Sequence, residues 1–416
     1  LLASSAASDV YKRQVGTDRY ISTLSTSVDS WIIDGKKVQS TQKPTIVSST
    51  LTWEKVTTLD LGLDARFFND ALGVTFDWYN RTTSDILTTA NLPATLGADA
   101  PYENMGTIQT KGWELAIDYR HTFKNGLHFG VTASVADDKT EVTKWTYNTK
   151  IPSYGATGWW DKSAYKEGMV LGDIWGLQFD RFLTEDDFNA DGSLKAGLPD
   201  QTKVFPAGYQ FAPGDVLYKD LDNNGEIVKQ TNTNDKGDLS VIGNALPRLQ
   251  FGLNLDAAWK GFDISMFFQG VAKRKLWAAG NQVLPGFTTG EPFYKGAEDY
   301  WTPENTDAFY PRPMDYKQSA SGNYSVNDRY LLNMAYLRLK TFTVGYSLPK
   351  VWLSKFKVQG LRVYFTGENL FTIDGVKPAI DPEIGIRTAS GKSDQRNFGR
   401  SYPYQKTVSF GIQLSL

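Results

Sequence analysis

The sequence predicts an all-β chain, part of a large antiparallel transmembrane β-barrel with long extracellular loops and short periplasmic turns. Three observations predict it. Apolar and polar residues alternate strictly in runs of about ten, the length a tilted strand needs to cross a bilayer. Connections between the runs alternate between tight turns and long segments, the habit of outer-membrane barrels. Trp and Tyr gather near the ends of the runs, where interfacial girdles lie.

Taken in order, Leu59, Leu61, Leu63, Ala65 and Phe67 alternate with Asp60, Gly62, Asp64 and Arg66. A turn at Asn69-Asp70 returns the chain through Leu72, Val74, Phe76 and Trp78, set against Gly73, Thr75, Asp77 and Tyr79. Trp113, Leu115, Ile117 and Tyr119 follow, interleaved with Glu114, Ala116, Asp118 and Arg120. Asn125-Gly126 is the strongest short hairpin signal and opens the run Leu127, Phe129, Val131, Ala133, Val135. Leu249–Asp256 and, after a Lys260-Gly261 turn, Phe262–Phe268 repeat the pattern, as do Leu361–Thr366 and the closing run Thr407–Leu416. Between Leu337-Leu339 and Phe342-Val344-Tyr346 the parity slips, which a β-bulge near Lys340-Thr341 explains.

A soluble sandwich also alternates. Here, however, the polar parity carries Asp, Glu and Arg in mid-run, which suits a wide wet lumen better than a packed interior. Glu114, Asp118, Arg120, Gln250, Asn254 and Asp256 are therefore expected on the lumen face. Thr83–Thr107, Asp137–Met169 and Val271–Tyr330 are expected as the long loops. No strand assignment is reached between Met169 and Ile242.

Composition narrows the chemistry. The chain has 416 residues, a formal net charge of −2 from 44 basic and 46 acidic residues, no Cys and two His. Disulfides, thiolate sites and thiol nucleophiles are excluded. The charge balance makes no case for nucleic acid. Uninterrupted apolar runs long enough for a membrane helix are lacking. The opening LLASSAASDVYKRQ has no strand or helix period; residues 1–14 are expected to be a non-native leader, with the partial barrel over 15–416. Any signal peptide is expected to lie outside the sequence.

From Trp53 onward a series of short pieces adds up. They are Trp53-Glu54-Lys55, Asn104-Met105-Gly106 with Lys111-Gly112-Trp113-Glu114-Leu115, Pro213-Gly214-Asp215-Val216 and Ile242-Gly243-Asn244. Lys260-Gly261-Phe262-Asp263 with Phe267-Phe268-Gln269-Gly270, Tyr336-Leu337-Arg338-Leu339-Lys340, Gly345-Tyr346-Ser347-Leu348-Pro349 and Glu368-Asn369-Leu370-Phe371 continue them. In order and spacing these resemble the C-terminal barrel portion of a SusC/RagA-type TonB-dependent transporter from the outer membrane of a Bacteroidetes-like bacterium. The resemblance implies a complete barrel of about 22 strands, roughly ten to fourteen of them here, with plug and Ton box outside this sequence. It further implies active import of glycan oligosaccharides or peptides, a SusD-like surface lipoprotein as lid, TonB acting through the missing N-terminal parts, and no enzymatic activity. Ala245, where the family usually has Pro, and Leu416, where an aromatic usually ends the barrel, depart from the pattern. The alternative reading is a secreted or surface β-rich glycan-binding or adhesion module with a calcium-stiffened loop.

Candidate sites lie in the loops. Asp220-Leu221-Asp222-Asn223-Asn224-Gly225-Glu226-Ile227 matches the first half of an EF-hand-type loop, with oxygen ligands at positions 1, 3 and 5 and Gly at 6. Position 12 is Thr231, which cannot supply a bidentate carboxylate, so Asp238 would have to return. Calcium held by Asp220, Asp222, Asn224 and Asp238 and a plain Asx-rich turn are both open. Asp187–Gly192 has similar spacing but Leu198 at position 12, and reads as a solvated loop. Tyr154, Trp159, Trp160, Tyr300 and Trp301 are candidate platforms for sugar rings or peptide side chains, or else loop packing. His121 and His128 flank a turn with no triad around them, and no pair of neighbouring carboxylates has a reason to adopt glycosidase spacing.

Overall fold

The computed structural model describes residues 2–13, 26–41, 46–89, 101–146, 166–229, 235–278, 280–287, 293–314, 322–353, 358–377, 380–383 and 402–415. The chain runs through β1 (Leu2–Arg13), β2 (Thr26–Ile33), β3 (Lys36–Thr41), β4 (Glu54–Phe67), β5 (Leu72–Thr89), β6 (Tyr102–Thr122) and β7 (His128–Trp145). Four short strands follow: β8 (Asp173–Gly176), β9 (Phe179–Phe182), β10 (Val216–Tyr218) and β11 (Ser240–Asn244). Then come β12 (Arg248–Trp259), β13 (Phe262–Lys273), β14 (Lys275–Leu276), β15 (Leu332–Asn333), β16 (Tyr336–Ser347), β17 (Gly360–Asp374) and β18 (Thr407–Ser415). Ten of them form one sheet in the order β1-β4-β5-β6-β7-β12-β13-β16-β17-β18, every pair antiparallel.

Directly opposed residues share a face, so the register reads each face across the sheet. One unbroken apolar row is Ala65–Val74–Ile117–Ala133–Leu253–Phe268–Leu339–Phe371. On the other parity lie Arg66–Gly73–Asp118–Thr132–Asn254, and likewise Asp77–Glu114–Ala136–Gln250 and Arg120–Gly130–Asp256. All six residues expected on the lumen side therefore share the polar face. Large apolar side chains of the first parity stand exposed, Ile117 at 38% and Phe262 at 58%. On the polar face, ion pairs reach across neighbouring strands. Arg66 Nη1 donates to Asp118 at 2.7 Å and Arg362 Nε to Asp263 at 3.0 Å. Gly112 sits beneath the Tyr79 ring, whose Cζ lies 2.4 Å from where a Cβ would be; only Gly lets that ring lie along the wall.

The short connections all fall at one end of the sheet. Phe68, Asn69 and Asp70 turn with φ of 56, 54 and 67°, and Lys260-Gly261 with φ of 49 and 89°; the latter is the two-residue hairpin type that matches strand twist. The Phe123 N–H donates to the Leu127 carbonyl around Asn125-Gly126. At the other end lie the long connections. These begin later than the sequence suggests. β5 runs on to Thr89, β6 starts at Tyr102 and β7 extends to Trp145, because backbone pairing continues beyond the apolar band where no alternation is needed. The parity slip in β16 is a bulge at Lys340, which puts Leu337, Leu339, Phe342, Val344 and Tyr346 on one face.

Two stretches carry strand pairing that alternation does not announce. Residues 2–13, set aside as a leader, pair through their backbone with β4 from Leu2↔Ala65 to Arg13↔Glu54. Such pairing uses main-chain groups that any extended segment presents to an open edge, so it is independent of side-chain pattern. Among the described residues between Met169 and Ile242 no strand enters the barrel sheet: β11 pairs with β8, and β10 with β9. The acidic loop thus precedes a strand of the loop body and not a barrel strand. This body, drawn from residues 170–229, 235–245, 276–278, 280–287, 293–314 and 322–334, has two buried cores among the described residues. One contains Ile174, Leu276, Trp277, Leu284, Tyr330 and Met334, the other Leu177, Val216, Tyr218, Ile227 and Trp301.

Candidate functional site

The acidic loop curls as its spacing suggests. Ligand atoms of Asp220, Asp222 and Asp238 lie within 4.8 Å of one another. Asp238, fully buried, is returned to the loop by its own main-chain bond to Val228, and its two carboxylate oxygens accept from Leu221 N and Val228 N, each at 2.8 Å. Asp220 Oδ2 accepts from Gly225 N at 2.8 Å, while its Oδ1 is shielded from solvent and has no hydrogen-bond partner. Asn224 lies beside these carboxylates. Its carboxamide oxygen accepts from Glu226 N at 2.7 Å and its Nδ2 donates to Asp222 at 3.0 Å, so the turn's own backbone and a neighbouring carboxylate use it. Burial, then the charges of Asp238 and Asp220, push the Asp222 carboxyl above its ordinary value. Three crowded carboxylates with an orphaned oxygen have the donor chemistry of a hard-cation site. Thr231 lies outside the described residues. The second loop of similar spacing has another job: Asp187 binds Arg181 through both oxygens, at 2.5 and 2.7 Å.

Aromatic candidates separate. Tyr154, Trp159 and Trp160 lie outside the described residues. Trp301 is a core residue, 7% exposed, and its ring covers Gly214, leaving no face for a ligand. Its neighbour Tyr300 is 39% exposed, as a platform requires.

Two polar clusters gave no signal in the sequence. Asp215, fully buried, accepts from Tyr209 Oη (2.8 Å), Ala212 N (2.9 Å), Arg312 Nε (2.8 Å) and Asn323 Nδ2 (2.9 Å). It holds the loop body's distant segments at one point. At the loop end of the polar face, Arg338 binds Asp381 at 2.7 Å and also pairs with Glu383, which accepts from Lys340 and Tyr336. The last long connection is thereby tied to the inner wall. Local spacing could not reveal either cluster, since Arg312 and Asn323 stand far from Asp215 along the chain.

Comparison with known proteins fits this geometry. The TonB-dependent receptor-like β-barrel family matches residues 5–370. TonB-dependent receptor P3 of Formosa agariphila is 27% identical over 395 residues, covering 92% of this chain and 36% of that protein. The TonB-dependent receptor SusC of Bacteroides thetaiotaomicron is 24% identical over 391 residues, covering 92% and 34%. This chain therefore spans about a third of the curated relatives it matches. In fold it resembles the RagAB peptide importer in its open-open state, with a TM-score of 0.71 at 20% identity over 100% of this chain and 40% of that one.

Proposed function

The chain belongs to the TonB-dependent receptor-like β-barrel family, and we propose that it forms the C-terminal wall and external loop body of a SusC/RagA-type importer. In this reading the complete transporter takes glycan oligosaccharides, or peptides, too large for passive pores, captured with a SusD-like surface lipoprotein and driven by TonB. The observation that carries it is the two-faced sheet: exposed apolar rows outside, ion-paired polar rows inside, and a folded loop body at one end only. That arrangement builds a lipid-embedded wall around a wet lumen with a capture vestibule above it. The soluble adhesion module is set aside, because water would face every apolar row. Deleting the gene in its host, and separately removing the Ton box of the full-length protein, should abolish growth on the cognate oligomer. Growth unchanged across panels of oligosaccharides and peptides would overturn import.

Within the loop body, we propose that Asp220, Asp222 and Asp238 hold a calcium ion that stiffens the vestibule wall. With a partial ligand set the affinity should be that of extracellular modules, about 10⁻⁴–10⁻³ M. Calorimetry on the full-length protein should show calcium heat that Asp222→Ala removes. Equal heat in both proteins, or none in either, leaves only an Asx-rich turn.

A further inference from the structure

The connection between β16 and β17 stands apart from the other turns at its end of the sheet. Those close in a few residues, whereas this one contains a one-turn helix, Lys350–Leu353. Pro349 precedes it, and Trp352 N donates to the Pro349 carbonyl at 3.0 Å. Leu353 is buried, which fixes the helix to the protein. Trp352 is turned out, 60% exposed, two residues after a charged Lys350.

The lipid-facing wall runs down to this helix. Its rows toward the turn end are Phe262–Tyr346–Val363–Ile412 and then Leu361–Leu414, with Leu348 N donating to the Leu361 carbonyl at 2.9 Å. Lys350 follows Leu348 by two residues, about 7 Å of extended chain. The polar headgroup layer beyond the hydrocarbon is roughly 5–8 Å thick on each side. Helix and headgroups therefore occupy the same depth. Neighbouring turns have the same composition at that depth. Phe68 is exposed, and the Lys260 ammonium lies 4.4 Å from the Trp259 ring centroid. An exposed indole beside ammonium groups is the pairing that settles at a membrane interface with anionic lipid.

We infer that the Lys350–Leu353 helix is a foot seated in the headgroup layer of the periplasmic leaflet, with the Trp352 ring among the glycerol and upper acyl groups and Lys350 on phospholipid phosphate. The foot fixes the depth and tilt of the β16–β17 hairpin in the bilayer. It extends the established lipid-facing wall into a turn that would otherwise be read as facing the periplasm.

The test is site-directed spin labelling of the complete transporter in nanodiscs of phosphatidylethanolamine and phosphatidylglycerol, with Trp352→Cys carrying the nitroxide. Phe262→Cys on the wall and Ala196→Cys, exposed on the loop body at the far end, serve as depth references. The oxygen-to-nickel-chelate collision ratio at Trp352→Cys should fall between the two references. A ratio equal to that of Ala196→Cys places the helix in water and overturns the inference. So does an immobilised spectrum that is identical in nanodiscs and detergent, since it means that protein covers the helix. If Trp352→Cys does not assemble, Val351→Cys carries the label under the same criteria.

Discussion

In the barrel sheet the large apolar side chains are among the most exposed of the molecule; in the loop body they are among the most hidden. Phe262 and Ile412 stand open on the sheet at 58% and 74%, whereas Leu177 and Leu284 are fully enclosed. The two regions use one physical effect with two solvents. The sheet leaves its apolar burial to lipid and pairs its charges on the inner face. The loop body must complete its own core in water, and so it gathers residues from two long connections around Asp215 and the Trp301 ring. Substitutions should thus fail for different reasons in the two regions.

The largest effects are expected in the loop body. Asp215→Ala strands the Arg312 guanidinium and should cost about 3–5 kcal/mol, the range for removing one partner of a buried pair. Trp301→Ala leaves a cavity beside Gly214 and falls in the same range. Denaturant unfolding of the detergent-solubilised full-length protein measures both. If Trp301→Ala weakened oligomer binding and left stability unchanged, Trp301 would be a ligand platform and the contrast between regions would fail there.

Next comes the wall. Ile117→Arg places a cation against hydrocarbon and should cost about 2–4 kcal/mol near the midplane. Asn254→Arg, on the polar parity, should stay within roughly 0.5 kcal/mol. Heat-modifiable gel migration together with unfolding midpoints reads the pair. Equal tolerance would mean that the two faces do not meet different solvents.

The smallest effect is a pH dependence confined to the loop body. Asp187 is held at about 2, below the ordinary 3.8, first by its hydrogen bonds from Arg181. A depressed folded-state value means that the pair stabilises the fold above the unfolded pKa and loses that contribution as pH falls through the folded one. Thermal midpoints of wild type and Asp187→Asn should therefore differ by a constant amount above pH ~4 and converge as the pH falls toward ~2. A difference that persists below that pH would assign the effect to packing and not to charge.

The calcium-like loop shows how far a site can be read locally. Asp220, Asp222 and Gly225 are placed by near-neighbour spacing and stand where that spacing puts them. Asn224 stands beside them, its amide oxygen on Glu226 N and its Nδ2 on Asp222, while Asp238 is brought in from further along the chain by its main-chain bond to Val228. Trp301 was ambiguous for a related reason, since an aromatic in a loop has the same composition whether it packs or binds. Only its placement over Gly214 tells them apart.

By itself the sequence determined the two-faced wall. A period of two is a backbone property, so each run states its own inner and outer face, and the turn residues at Asn69-Asp70, Asn125-Gly126 and Lys260-Gly261 state where it reverses. Even the Lys340 bulge was written in the parity slip. Tertiary structure alone decided how far the strands extend past the membrane band, that the described residues of 170–245 contribute no barrel strand, and that Asp215, Arg312 and Asn323 meet. These depend on contacts between segments that stand from about a dozen to about a hundred residues apart, which no local period encodes. Burial of a charge needs partners from wherever the chain can bring them, and only the folded chain says from where.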